Sequence, residues 1–379
     1  MDTKQIYSIV NSAVGQAIGE DSLSAIDTVG LASVGKVVLS SSANTEAFLN
    51  TLAQRIGRTI YRFKMYENKF SDYVISDMQW GIVLQRIRCA MPEAIEDPTY
   101  SLTNGQSVDM FTVAKPSVQQ KLFVTRTPYM FQITIQRKTL KEAFLSPEAM
   151  GAFIAIVFGE VRNAINLALE NLGRLTLCAA MAETASDGSN MQRINLVTDY
   201  NTEYELTGDD ALTASKALRS DSFLRYAIMR MNCVIDNMQD MSTLFNGAGE
   251  LPTFTNKEDM KIRVLSGFKR RLETVTEYAA FHDQFVDVDG AYKTVNFWQS
   301  EKTPSSVDIL VREALGGIFQ LNNIVAVIHD KDAFGIYQMD EEVSTSPVNS
   351  AALYYNQFWH ERQARFINTD DNFVIFTLN

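Results

Sequence analysis

The chain has 379 residues, 46% of them hydrophobic and 21% charged, with a formal net charge of −11. That apolar supply excludes wholesale disorder and suffices for one large unit or two to three smaller ones. The acidic balance excludes tight nucleic-acid binding, which needs fixed cations against phosphate, and three widely separated cysteines (Cys89, Cys178, Cys233) form neither a disulfide framework nor a metal spacing and suit a reducing cytosol.

The opening "MDTKQIYSIV" has no basic region followed by an apolar run, so no secretory signal is expected. Residues 1–44 are small and polar and read as an extended arm with helical pieces. Inside them, "GLASVGKV" (30–37) sets Gly30, Gly35 and Lys36 at phosphate-loop spacing. Val37 occupies the place of the magnesium-binding hydroxyl, and "VVLSSS" reads as strand or arm rather than a helix opening, so nucleotide binding is not expected. A helix then starts at a Thr45 cap, with Phe48, Leu52, Ile56 and Ile60 at spacings of four.

Strand-like segments follow at 80–89 ("WGIVLQRIRC") and 121–137, separated by a long polar connection at about 92–116. In the second, Tyr129, Phe131, Ile133 and Ile135 alternate with Met130, Gln132, Thr134 and Gln136, which is strand periodicity. Two strands bracketing a polar tip predict an extended two-stranded loop. An isolated ribbon is marginal in water, so this one needs a partner surface, on its own chain or a neighbour.

Residues 146–184 predict one long helix. Ser146 caps it, Pro147 fits its first position, and Glu148 sits in the positive first turn. An apolar stripe runs through Met150, Ile154, Val157, Val161, Ile165, Ala168, Leu172, Leu175 and Ala179. The opposite side carries Glu160, Asn163, Asn166, Glu170, Asn171 and Arg174 and is expected to be partly exposed. Gly159 and Gly173 offer places for close approach by another element. The charge-free run from Ala149 to Gly159 is shorter than the roughly 17–25 residues of a membrane span, so a buried spine is expected instead.

Beyond the spine, Asp221 can cap a helix bearing Leu224, Ile228, Met231, Ile235 and Met238. "KIRVLSG" (261–267) reads as strand and "FKRRLETVTEYAAF" as helix, and 285–298 reads as a hairpin about Asp289–Gly290. Ile324–Ile328 reads as a buried strand, with Asp330 capping a short helix. This alternation suggests a compact α/β unit. In the tail, 353–367 and 373–378 read as a strand pair around the turn "TDDN".

Catalytic signals are absent. His282, His329 and His360 lack helical ligand spacing, and no catalytic, cofactor or metal residue is assigned. His329 beside Asp330 is the best acid–base candidate, but a strand-end histidine next to a cap is the preferred reading. "DVDG" (287–290) resembles the head of a calcium loop, yet the twelfth position is Trp298. Three short basic clusters (Arg86 and Arg88; Arg137, Lys138 and Lys141; Lys269, Arg270 and Arg271) read as solvated or subunit-contacting faces.

The order of parts carries more. An arm, an amphipathic helix, a long two-stranded loop, a spine helix, an α/β block and a final strand pair together resemble the major capsid protein of tailed bacteriophages, the Hong Kong-type shell fold. The segments 48–70, 127–150, 324–338 and 352–376 also look like the capsid family of small podophage-like viruses. The resemblance implies an α+β fold with an N-terminal arm (1–44), a peripheral domain with the spine helix (45–75, 138–184 and 346–379), an extended loop (76–137) lying over a neighbouring subunit, and an α/β axial domain (185–345). It further implies a non-enzymatic subunit that assembles with itself as pentamers and hexamers into an icosahedral or prolate head shell enclosing double-stranded DNA. Portal and scaffolding proteins and non-specific contact with packaged DNA are its expected partners, and no membrane and no cofactor are expected. The location would be the virion capsid, assembled in the host bacterial cytoplasm. Arg86, Arg88, Lys121 and Arg126 on the loop are its candidate subunit-interface residues. Lys121 has no identifiable asparagine partner for covalent cross-linking, and no large scaffold region precedes the spine. The alternative of the same fold is an encapsulin-like cellular nanocompartment shell.

Overall fold

In the computed structural model the first helix begins at Thr3, and the helical pieces expected within the arm make up most of its described length. Residues 3–19, 25–56, 66–75, 84–105, 107–111, 113–187, 191–247, 251–278, 292–310 and 318–379 are described. Helices α1 (Thr3–Ile18), α2 (Thr28–Val38) and α3 (Ser42–Ile56) fold against the body. For α1 the stripe Ile6, Ile9, Val10, Ala13 and Val14 explains why: it has helical spacing and is buried. The "GLASVGKV" run lies inside α2. Its start is capped by Asp27, which accepts a hydrogen bond from Gly30 N, and Gly35 lies against Phe144, so no phosphate loop forms. Helix α3 begins before Thr45, whose hydroxyl donates back to Val38 O and Ser41 O. Ile60 lies outside the described residues.

A short strand β1 (Val74–Ile75) precedes the ribbon strands β2 (Leu84–Cys89) and β3 (Val118–Phe123). The alternating segment forms β4 (Tyr129–Gln136), which leaves the ribbon and runs into α4 (Arg137–Ala143). The spine is then continuous: α5 (Pro147–Ile154), a π-helical turn (Ala155–Gly159) and α6 (Glu160–Asp187), about 60 Å in all. Ser146 caps it by accepting from Ala149 N at 3.1 Å. Of the helices among the described residues, it alone is long and apolar enough to cross a membrane.

The rest comprises β5 (Arg193–Asn195), α7 (Leu196–Glu203), α8 (Ala214–Ala217), α9 (Asp221–Met238), β6 (Met260–Leu265), α10 (Ser266–Tyr278), β7 (Tyr292–Val295), β8 (Val307–Leu310), β9 (Ile318–Leu321), β10 (Ile324–Asp330), β11 (Phe334–Thr345), β12 (Tyr354–Ile367) and β13 (Phe373–Thr377). Ser220, rather than Asp221, caps α9. The first half of the Asp289–Gly290 hairpin lies outside the described residues. Its second half, β7, pairs with β6 in parallel. No helix follows Asp330: its carboxylate accepts from Asp332 N and Thr255 Oγ1, and the chain turns directly into β11.

Two sheets organise the molecule. One has the order β1-β11-β12-β4, the other β5-β13-β10-β6-β7. β12 and β13 therefore do not pair with each other; the turn at 368–372 carries the chain from one sheet to the other. The sheets also divide the chain differently from the boundary at 345/346 expected from the sequence. β11 belongs with β12, and β13 is an interior strand of the five-stranded sheet, between β5 and β10, because both faces of "FVIFT" are largely apolar and all five residues are buried.

The spine spans both sheets. One core joins α1–α3, β4 and the first half of the spine to Tyr355 and Trp359 of β12. A second joins α7, α9 and α10 to one face of the five-stranded sheet, through Val374 and Phe376. A third joins Leu177, Cys178 and Met181 of the spine to the other face, through Phe373 and Ile375.

The buried stripe of the spine departs from simple periodicity. Phe158 is buried where Val157 was expected, and Leu175 is 46% exposed. A π turn inserts an extra residue and rotates the following helix, which a fixed 3.6 period misses. Gly173 does admit a neighbour, since a Cβ there would stand 2.9 Å from Phe70 Cβ, whereas Gly159 faces open space.

The polar side of the spine is partly exposed, as expected, at Glu160 and Asn171, and is covered at Glu170 and Arg174. Glu170 and Arg174 are 4% and 8% exposed. Asn163 and Asn166 hold the backbone of Tyr66, Tyr66 Oη donates to Glu170 at 2.6 Å, and Arg174 donates to Glu170 at 3.0 Å. Burial alone would raise the Glu170 carboxyl, but hydrogen bonds from Tyr66, Lys69 N and Arg174 outweigh it and hold it below its usual value. The helix's polar residues are thus the anchor for residues 66–73.

Candidate subunit interface

β2 and β3 pair antiparallel, with Arg86 opposite Lys121 and Arg88 opposite Gln119. Strand alternation sorts the ribbon into two faces. Arg86, Arg88, Gln119, Lys121 and Phe123 turn toward the body. Ile87, Val118 and Leu122 turn outward and are exposed. Directly opposed cations repel unless anions are supplied.

The 368–372 turn supplies them. Both terminal nitrogens of Arg86 engage Asp371, one at 2.6 Å to Oδ1. Lys121 pairs with the Asp370 carboxylate, and Arg88 Nη1 donates to Asp370 O at 2.9 Å. Ring contact between Phe123 and Phe366 closes the base of the ribbon. The turn itself is pinned: Asn368 Nδ2 donates to Asp371, Asn372 Nδ2 to Thr255 Oγ1, and Gly247 N to Thr369 O. Burial raises the Asp371 carboxyl above its usual value, against the pull of Arg86, Arg88 and Asn368. A two-pronged guanidinium on a buried carboxylate fixes angle as well as distance, so this clasp sets how the ribbon leaves the body.

Of the four residues expected at the interface, Arg86, Arg88 and Lys121 come together here, on the chain's own turn. Arg126 stands apart, bridged by backbone to Ala364, with its side chain exposed. Sequence reasoning missed Asp370 and Asp371, although an acidic doublet in a turn is the natural complement to cations alternating along a strand.

Beyond the clasp, the connection between β2 and β3 is exposed along nearly its whole length and carries large apolar side chains. Ile95 is 88% exposed, Tyr100 93%, Met110 82% and Phe111 78%. Large apolar side chains are seldom displayed together in this way on a monomeric chain.

The other candidates resolve differently. His329 is fully buried among Tyr73, Phe334 and Phe373, with Nδ1 near Asp330 O and Nε2 2.9 Å from Tyr73 Oη. Tyr73 accepts from Arg263, which forks onto Asp72 at 2.5 and 2.7 Å. Burial pushes the imidazole down to about 3, so it is neutral and structural. Burial likewise raises the Cys178 thiol to about 12. Among the described residues, no group of three or more His, Cys, Asp or Glu side chains is arranged to hold a metal. "DVDG" and His282 lie outside the described residues. Lys138 pairs with Glu142 and Lys269 with Glu273 within their own helices, while Arg137 donates to Leu39 O and Arg271 to Leu218 O, so these clusters make contacts within the chain.

The fold has solved relatives. A capsid chain of Staphylococcus phage Andhra matches with a TM-score of 0.55 and 11% identity, over 85% of this chain and 87% of that one. A chain in the structure of the head fiber and inner core protein gp22 of native bacteriophage P68 matches with a TM-score of 0.52 and 12% identity, over 85% and 87%. No functionally curated protein matches by sequence. The model of the Phi29-like phage major capsid protein family matches residues 7–377, and nothing in these matches favours a nanocompartment shell. The chain belongs to the Phi29-like phage major capsid protein family.

Proposed function

We propose that this capsid subunit builds its shell through the ribbon, which lies across a neighbouring copy within pentamers and hexamers of an icosahedral or prolate head around double-stranded DNA. The observation that carries this reading is the outward apolar face and tip of the β2–β3 ribbon, held off the body by an ion-paired base. An edge-exposed ribbon is a liability in a monomer and a ready contact in a closed assembly, where many weak contacts sum. Arg86, Arg88 and Lys121 act at this interface by setting the ribbon's posture, and the exposed Arg126 is offered to the neighbouring copy. Residues 3–56 with the four-stranded sheet form the peripheral part, and the five-stranded sheet with α7–α10 the axial part around the capsomer centre. The role is structural, without catalysis. Portal and scaffolding proteins, weak contact with packaged DNA, and assembly in the host bacterial cytoplasm complete the reading.

Negative-stain microscopy tests it. Rings, shells or tubes are expected from the purified chain, alone or with a scaffold, and monomers under every salt and scaffold condition would overturn the proposal. Deleting residues 92–116 should leave a folded monomer and abolish assembly. If the monomer itself unfolds, the ribbon is core rather than contact.

A further inference from the structure

Three elements meet where the spine crosses the four-stranded sheet, and each brings a charge. Glu341 on β11 is the register partner of Glu361 on β12, beside a bulge between Gln338 and Asp340. Two carboxyl groups thus face each other across adjacent strands. Arg162 on α6 brings a guanidinium to this place, and both of its terminal nitrogens are committed to Glu341, at 2.9 and 3.1 Å. Glu361 is fully buried. Its Oε2 accepts from Gln338 Nε2 at 3.1 Å, and its Oε1 has no partner. From β4, Tyr129 stands in register opposite Glu361 and offers a phenol rather than a charge. Trp359, two residues back on β12, lies under Arg162 with 5.5 Å from guanidinium carbon to ring centre. One cation therefore serves two carboxyl groups, and the one it does not reach is closed to water. A buried carboxylate without compensation takes up a proton.

We propose that Glu361 is a proton-binding site that couples the docking of the spine helix on the four-stranded sheet to pH. In the docked form the proton resides on Oε1 and the site holds one guanidinium and one carboxylate. Loss of that proton to solvent leaves a second buried negative charge beside Glu341, at the bulge where β11 and β12 are least regular. Burial first, and then the Glu341 charge, push the Glu361 carboxyl up from 4.5 to about 7, while the Gln338 hydrogen bond and Arg162 pull the other way. The sign follows from proton counting. Between about 4.5 and about 7 the folded chain binds more protons than the unfolded chain. The stabilisation from this site is complete below that window, falls as pH rises through it, and is absent above it.

The test compares the full-length chain with Glu361→Gln, a neutral isostere of the protonated acid. Thermal unfolding is followed from about pH 5.5 to about pH 8.5, and groups common to both proteins cancel in the difference. Glu361→Gln should gain about 2–3 °C in Tm relative to the parent across that range. A constant offset between the two curves would overturn the proposal. Infrared difference spectroscopy reads the proton directly and works equally on assembled particles. The protonated-carboxyl stretch should vanish with a midpoint near neutrality in the parent and be absent from Glu361→Gln. Should Glu361→Gln fail to fold, Glu341→Gln gives the second reading: it removes the opposing charge and should lower the infrared midpoint by about one unit. A parent midpoint below about pH 5.5, or one that Glu341→Gln leaves in place, would overturn the assignment.

Discussion

Arg86 and Lys121 stand directly opposite on the inner face of a two-stranded ribbon, an arrangement that repels unless an acid intervenes. Asp371 is 3% exposed and receives both prongs of Arg86, so it carries most of the clasp. Asp371→Ala should cost about 1–3 kcal/mol in chemical denaturation, somewhat less than a fully buried pair because Arg86 keeps 28% of its side-chain exposure. The same variant should assemble poorly even where it is folded, because the ribbon has lost its fixed angle. Full assembly by a destabilised Asp371→Ala chain would show that the clasp is merely structural. His329 illustrates the opposite outcome for a sequence candidate. Its partners are a carbonyl, a phenol and three aromatic rings, which leave it no proton to trade near neutral pH.

The spine is the element on which both halves are built. Its start was legible in the sequence because Ser146, Pro147 and Glu148 are local signals that act within one turn. Its π turn was not, since nothing local requires the extra residue; burying Phe158 against Phe153 and Trp359 does. Glu170 and Arg174 were misread for the same reason. Periodicity reports polarity, and a polar side chain can as well anchor a covering segment as face water. The two glycines separate these effects. Gly173→Ala should destabilise by about 1–3 kcal/mol, because its Cβ would meet Phe70 at 2.9 Å and overpacking outweighs alanine's helix propensity. Gly159→Ala, facing open space, should stabilise by about 0.5–1 kcal/mol. Equal signs in denaturant titrations would contradict this account of close approach.

At the scale of the molecule, β13 is the junction. Val374 and Phe376 face the core of α7, α9 and α10, while Phe373 and Ile375 face the spine. A single strand contributing to two cores should make them unfold together. Ile375→Ala should therefore lower stability by about 2–5 kcal/mol while preserving a single calorimetric transition. Separation into two transitions would show that the cores are independent. The strand's membership was hidden in the sequence by proximity. β12 and β13 are adjacent in the chain and both strand-like, so they read as a pair, yet the pinned turn between them sends each into a different sheet.

The sequence by itself determined the local features and the order of parts: the cap and length of the spine, the strand periodicity at 129–136, the buried run of β10, and the succession of segments that resembles a phage shell protein. These follow from interactions within a few residues or from the chain's own linear order. Tertiary structure alone decided which polar residues are buried, which strands share a sheet, and where the ribbon's cations find their acids. Arg86 and Asp371 are 285 positions apart, Arg162 and Glu341 179, and Tyr66 and Glu170 104. Contacts at such separations leave no periodic trace in the sequence, because the fold rather than the chain brings the partners together.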